Sequence, residues 1–187
     1  MSRTADPALR EDLLDAAVRY VVAHGISDLS LRPLAEALDT SPRGILYHFG
    51  SKETLVEAVL ARAADRQREI FAALKTSRVG SRAACRAIWE AMSAPTSEPV
   101  FRLFFEVYGL ALQDRKRFSG FLKRVVRDWL EFIAEPLTAQ GQRRSDAVAF
   151  ATLLIAGYRG FMLDLCATRD RERVNAAVDL WLEKVTA

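Results

Sequence analysis

The sequence predicts an all-α protein of nine helices, and three observations carry that expectation. Apolar residues recur every three to four positions in one segment after another, the spacing of a single helix face. No stretch alternates apolar and polar residues as a half-buried strand does. Proline, glycine and serine cluster at helix-length intervals, where they start or stop a helix. Of 187 residues half are hydrophobic and 27% are charged, a composition ordinary for a globular chain with room for a sizeable core.

The elements follow in order. Leu9, Leu13, Ala16, Ala17, Tyr20 and Val21 share one face of a first helix over 7–24, with Arg10, Glu11, Asp15 and Arg19 opposite. Pro7 suits its first turn, Gly25 suits a left-handed stop, and His24 sits where the helix dipole favours a cation. After the loop 27–29, Ser30 is the expected N-cap of a short helix over 31–38. Pro33 lies in its first turn, and Leu34, Ala35 and Leu38 face inward. Asp39 and Thr40 form a tight connector. Ser41 and Pro42 start a second short helix, 42–48, which Gly50 ends; Ile45, Leu46 and Phe49 are its expected inward side. Ser51 caps a long helix over 52–75 with Leu55, Val59 and Ala63 as its stripe. Composition shifts at 77–81, and five helices follow over 81–93, 98–113, 117–139, 145–168 and 170–185. The expected domains are a helix-turn-helix domain over 1–51, a connecting helix over 52–78 and a larger helical domain over 79–187.

Net charge is only +3, and through Lys52 six basic residues face seven acidic ones, so a nucleic-acid role must rest on placement rather than bulk charge. Cys85 and Cys166 lie in no metal-binding spacing and read as free thiols in a reducing compartment. The polar N-terminus lacks an apolar signal core, and the longest uncharged run, 147–158, is too short for a bilayer core of about 30 Å. A cytoplasmic protein without a membrane partner is expected.

The stretch SPRGILYHFGSK, residues 41–52, carries the functional argument. Two short helices joined by a tight connector make a helix-turn-helix, whose second helix enters a DNA major groove about 12 Å wide. Pro42, Arg43 and Gly44 at its leading end then meet base edges. Arg43 is the long donor there, suited to guanine O6 and N7. Tyr47, His48 and Lys52 fall at the groove wall, and Ser30, Arg32, Thr40 and Ser41 supply further donors for phosphates.

The run LRPLAEALDTSPRGILYHFGSKETLVEAVL resembles the signature of the TetR family of transcriptional regulators, with its two short helices, aromatic–His–Phe cluster and a lysine opening the next helix. The resemblance covers residues 9–60; beyond them it extends to helix count, length and aromatic content. It implies a homodimeric repressor released from a palindromic operator by a small-molecule effector. The family usually has glycine where Asp39 stands, and aspartate tolerates the left-handed conformation. It commonly has tyrosine where Leu46 stands.

In the larger domain, EPVFRLFFEVYGLALQ is apolar nearly all round, as a helix buried on every side is. Trp89, Phe101, Phe104, Phe105, Tyr108, Phe121, Val125, Trp129, Tyr158, Phe161 and Met162 suit either plain core or the lining of a small-molecule pocket, and the resemblance implies the pocket. Phe132 joins the same interior, and Gly109 opens space. Tyr108, Glu106, Arg127 and Arg159 are the expected polar anchors, though Glu106 also suits an ion pair with Arg102. Along the last two helices Phe150, Leu154, Gly157, Val174, Val178, Trp181 and Val185 are the expected dimer interface, a four-helix bundle about a two-fold axis. An enzyme is disfavoured: there are two histidines, no metal-spaced cluster, no phosphate loop and no nucleophile–base motif, so no cofactor or metal is expected. A helical interaction module without DNA binding is the rival reading.

Overall fold

A computed structural model describes residues 6–27, 29–73, 80–116 and 118–186, and holds nine helices and no strand among them. These are α1 (Pro7–His24), α2 (Leu31–Ala37), α3 (Pro42–Phe49), α4 (Lys52–Ala73), α5 (Arg82–Ser93) and α6 (Glu98–Gln113). α7 runs through Ser119–Lys123, a π-helical turn Arg124–Asp128 and Trp129–Ala139; α8 is Arg144–Thr168 and α9 is Arg171–Val185. The expected end of the fourth helix at 75 and most of the composition shift at 77–81 lie outside the described residues.

The chain divides into two compact units, one of Met1–Gln67 with Arg102–Phe121, the other of Arg68–Phe101 with Leu122–Ala187. This differs from the division read along the sequence. Most of α4 and most of α6 belong to the N-terminal unit, because a helix joins whichever core buries its face, whatever its place in the chain.

In the N-terminal unit Val21 of α1, Leu34 of α2, Ile45 of α3 and Val59 of α4 are fully buried. The apolar stripes seen in the sequence meet there. Asp6 caps α1, its side chain accepting from the Ala8 N–H at 3.0 Å, and Gly25 ends it at φ 83°, ψ −178°. That is not the left-handed stop expected but an extended mirror region open essentially to glycine. His24 Nδ1–H donates to Tyr20 O at 2.9 Å, and the ring stacks on that of Tyr20. Ser30 has the extended backbone of an N-cap but makes no side-chain cap bond. Ser41 does cap: its Oγ accepts from the Gly44 N–H at 3.0 Å. Gly50, at φ 78°, closes α3, and Ser51 Oγ accepts from the Thr54 N–H at 3.1 Å to start α4.

The second unit is built on α8. Ala147 and Ala151 pack with Ala134 and Leu137 of α7, and Leu154, Tyr158, Met162 and Leu165 bury the rest of that face. Val174, Val178 and Leu182 of α9 are buried as well. The π-helical turn re-aims carbonyls away from the regular ladder, and Arg159 of α8 donates to one of them, Val125 O. α8 itself, 25 residues with a mean hydropathy of 1.4 over its most apolar stretch, is long and apolar enough to cross a membrane by length and composition. The uncharged run alone understated this. Only 28% of that stretch is buried, so α8 also carries an apolar outward face.

Candidate nucleic-acid interface

The turn between α2 and α3 closes through Asp39 at φ 50°, the left-handed conformation aspartate tolerates, and the Thr40 N–H donates to Ala35 O at 2.9 Å. Ile45 and Phe49, four residues apart, turn inward. The guanidinium of Arg10 lies 5.1 Å from the Phe49 ring centroid and covers it. The remaining face of α3 points out. Ser30, Arg32, Ser41, Pro42, Arg43 and Tyr47 are exposed, and Thr40, Gly44, His48 and Lys52 are half-buried. Leu46 is 37% exposed and lies on the outward side, not the inward one expected. A helix this short has room for one inward pair, and Ile45 and Phe49 take it.

Gly44 has an internal reason to be glycine that the sequence did not reveal. A Cβ there would lie 2.6 Å from Thr40 Oγ1 and 3.4 Å from Ser41 Oγ. The first is closer than a side-chain carbon tolerates, so glycine here lets the Thr40 side chain keep its place in the turn. His48 lies edge-on to Tyr47, ring centroids 5.2 Å apart. Among the described residues its buried Nδ1 has no hydrogen-bond partner, so an outside partner would meet Nε2.

Charge is sorted between faces. Asp15 of α1 is held by Arg66 at 2.8 Å and Arg62 at 3.2 Å, and Glu11 by Arg62 and Arg10. These acids face α4 and are neutralised there. Arg32, Arg43 and Lys52 make no ion pair among the described residues. They thus stand unpaired around α3, with Glu36 and the turn residue Asp39 exposed beside them. No group of three or more His, Cys, Asp or Glu among the described residues is placed to hold a metal ion.

Glu106 does what the sequence could not announce. Expected as a ligand anchor or a partner of Arg102, it instead accepts from the Ser27 N–H at 2.6 Å and from the Ile26 N–H at 3.1 and 3.2 Å. A Cβ on Gly25 would sit 3.0 Å from its Oε2. A carboxylate on α6 thus holds the loop that leads into α2, eighty positions away in the chain.

The expected pocket residues fall into separate clusters. Phe104, Phe105, Tyr108 and Phe121 form one, in the N-terminal unit, with Phe104 centroids 5.2 Å from Phe105, 5.5 Å from Tyr108 and 6.2 Å from Phe121. All four are half-buried, and the position a side chain would take at Gly109 is open space. Trp89, Tyr158 and Phe161 form another with Trp181, in the second unit. There the polar atoms are already used: Trp89 Nε1 donates to Asn175 Oδ1 at 2.8 Å and Tyr158 Oη to Cys85 O at 2.7 Å. Trp89, Tyr158, Phe101, Val125 and Met162 are buried in their unit's core. Trp129 pairs with Phe132 at 5.6 Å. Of the polar anchors, Arg159 is bonded to Val125 O and Arg127 pairs with its neighbour Asp128 at 3.2 Å.

Three of the expected dimer residues turn inward within a single chain, and the others are half-buried. Leu154, Val174 and Val178 are at most 2% exposed within a single chain. Phe150 packs on the α7–α8 core. Gly157 is small to admit the chain's own Trp181, whose Cζ2 would lie 2.3 Å from an added Cβ. Val185 is half-buried. Instead Ala149, Leu153, Ala156, Gly160 and Leu163 line the exposed face of α8, with Leu180 on α9. Leu153 and Leu163 are each 53% exposed and Leu180 is 61% exposed. In the sequence both faces of α8 read as apolar, so periodicity could not choose between them.

Residues 13–59 match the family model described as bacterial regulatory proteins, tetR family. Among curated proteins, the chain is 26% identical over 169 residues to the HTH-type transcriptional regulator BetI of Rhizobium meliloti (strain 1021), covering 90% of this chain and 71% of that one. Among solved structures, it superposes on the multidrug binding protein EbrR complexed with imidazole at a TM-score of 0.72 and 25% identity, over 99% of this chain and 93% of that one. It superposes on BioQ with its natural double-stranded DNA operator at a TM-score of 0.57 and 23% identity, over 95% and 97% of the two chains.

Proposed function

We propose that this chain, whose residues 13–59 match the model of the tetR family of bacterial regulatory proteins, is a homodimeric repressor of that family that leaves a palindromic operator when an apolar or aromatic small molecule binds it. The observation that carries the DNA-binding reading is the outward face of α3: a short, capped helix free of acidic residues, with Arg43 exposed on it and unpaired among the described residues. In this reading Pro42, Arg43 and Gly44 enter the major groove, with Arg43 on a guanine edge. Tyr47, His48 through Nε2, and Lys52 grip phosphates, joined by Ser30, Arg32, Thr40 and Ser41. A protein of the same fold, BioQ, has been crystallised with its operator.

The apolar stripe of α8 and Leu180 of α9 support dimerisation, since large exposed patches on one face mark an interaction site. Gly160, open to solvent with nothing near its missing Cβ, lets a second helix come close. The ring cluster of α6 and α7 is the proposed effector site, and EbrR, of similar fold, is a multidrug binding protein. Glu106, on the same helix as Phe104, Phe105 and Tyr108, provides the link to the loop before α2. A ligand that shifts α6 then acts on the helix-turn-helix; coupling of about 1–3 kcal/mol is typical. Such a protein works in the cytoplasm, where its DNA lies, and no catalytic role is part of this proposal.

Selection from random duplexes tests it. The expected product is an inverted repeat with half-sites about 34–36 Å apart centre to centre, or a multiple of that spacing. Enrichment of no sequence, or of one without symmetry, would sink the proposal. A thermal-shift screen of apolar and aromatic compounds tests the effector site; a ligand at about 100 times its Kd adds about 2.7 kcal/mol.

A further inference from the structure

The turn from α8 to α9 forms one wall of a cavity of about 220 Å³ in the second unit. Arg169 and Arg171 line it on that side, Glu98 at the start of α6 lines it too, and Met162, Leu165 and Cys166 line it from α8. Met162 and Leu165 are 1% and 8% exposed and make an apolar floor.

Two independent features mark the arginines. The first is their lack of partners. Arg173, two residues on, takes up both carboxylates of the turn, Asp164 at 2.6 Å and Asp170 at 3.2 Å. Arg169 and Arg171 make no side-chain hydrogen bond or ion pair among the described residues. The second is backbone conformation. Arg169 sits at φ 58°, ψ 10°, the left-handed position that ends α8 and favours glycine or asparagine. An arginine held there against backbone preference, beside a cavity, points to a use for its side chain.

We propose that this cavity binds a small organic monoanion, a carboxylate on a short hydrocarbon chain. The carboxylate meets the guanidinium groups of Arg169 and Arg171, and the chain lies on Met162 and Leu165. Guanidinium groups suit this headgroup because their donors match the two carboxylate oxygens. Two arginines and one glutamate leave the lining a formal +1, which one carboxylate neutralises, whereas the second charge of a dianion would lose its water with no partner to compensate it. The volume equals that of about seven liquid waters, room for a chain of about four to six carbons. The inference does not rest on DNA binding, and its test contains no DNA.

Calorimetric titration of the full chain at constant ionic strength, with butyrate, hexanoate, 1-butanol and sulfate, decides it. Saturable 1:1 binding of the carboxylates is expected, with butanol and sulfate at least about tenfold weaker. Arg169→Gly removes the guanidinium and suits the backbone, so it lowers carboxylate affinity at least about tenfold while Tm holds or rises. Arg171→Gln gives the same loss without touching the left-handed residue. Bound carboxylate also slows alkylation of the half-buried Cys166 while Cys85 stays buried, and this protection vanishes in both variants. Absence of saturable binding, binding unchanged in both variants, or equal binding of butanol would overturn the proposal.

Discussion

Glu106 offers a direct test of how α6 holds the loop before the helix-turn-helix. Its carboxylate receives two backbone donors, Ile26 N–H and Ser27 N–H, the latter at 2.6 Å. A hydrogen bond to a charged acceptor contributes about 1.5–3 kcal/mol, and a buried donor left unpaired bears the full desolvation penalty. Ser27 is exposed, so water replaces its lost partner; Ile26 is 7% exposed, so its amide has little access to water. Glu106→Ala should therefore destabilise the fold by about 2–3 kcal/mol, chiefly through Ile26. Glu106→Gln keeps a neutral acceptor and should cost about 1 kcal/mol. In a chain of this size these correspond to falls in Tm of about 5–10 °C and about 2–4 °C. Urea denaturation with an unchanged m-value, in parallel with thermal scans, reads both. The reasoning fails if the two variants are equally stable, or if Glu106→Ala stays within about 0.5 kcal/mol of the parent.

Three further outcomes follow from the packing. Gly44→Ala should lose about 1–3 kcal/mol because its Cβ meets Thr40 Oγ1, and Thr40→Ala in the same chain should recover much of that loss in a double-mutant cycle. Leu163→Glu, on the exposed face of α8, should leave the fold's helix content intact and shift sedimentation from dimer to monomer, whereas Val178→Ala, fully buried, should lower stability and leave assembly alone. Burial holds the Tyr158 hydroxyl un-ionised well above its ordinary range, reinforced by Cys85. The unfolded chain loses that proton near pH 10 while the folded one keeps it, so stability should fall by about 1.4 kcal/mol per pH unit above that point. Tyr158→Phe should remove that slope, and below about pH 9 should be about 1 kcal/mol less stable for want of the bond to Cys85 O.

Local features were legible in the sequence. The start of α3 was written in Ser41 and Pro42, its end in Gly50, and the left-handed turn in Asp39, because caps and turns depend on residues within one turn of themselves. Features that need a distant partner were not. Nothing near Glu106 announces Ile26 and Ser27, and nothing near Gly157 announces Trp181. The two apolar faces of α8 look alike until α7 and α9 cover one of them, so periodicity alone could not separate inward Leu154 from outward Leu153 and Leu163. The charge count through Lys52 missed two pairings for a similar reason: Asp15 and Glu11 are matched by Arg62 and Arg66, which lie beyond the stretch counted.

If α3 reads DNA through Arg43, that side chain sets the base preference within each half-site. The most direct measurement is a paired selection from random duplexes with the parent and with Arg43→Ala. The parent should enrich an inverted repeat with a guanine at one position of each half-site. Arg43→Ala should relax preference at that position alone, weakening binding by about 1–3 kcal/mol per half-site. An Arg43→Ala protein that enriches the same repeat with the same preference at every position would contradict that role.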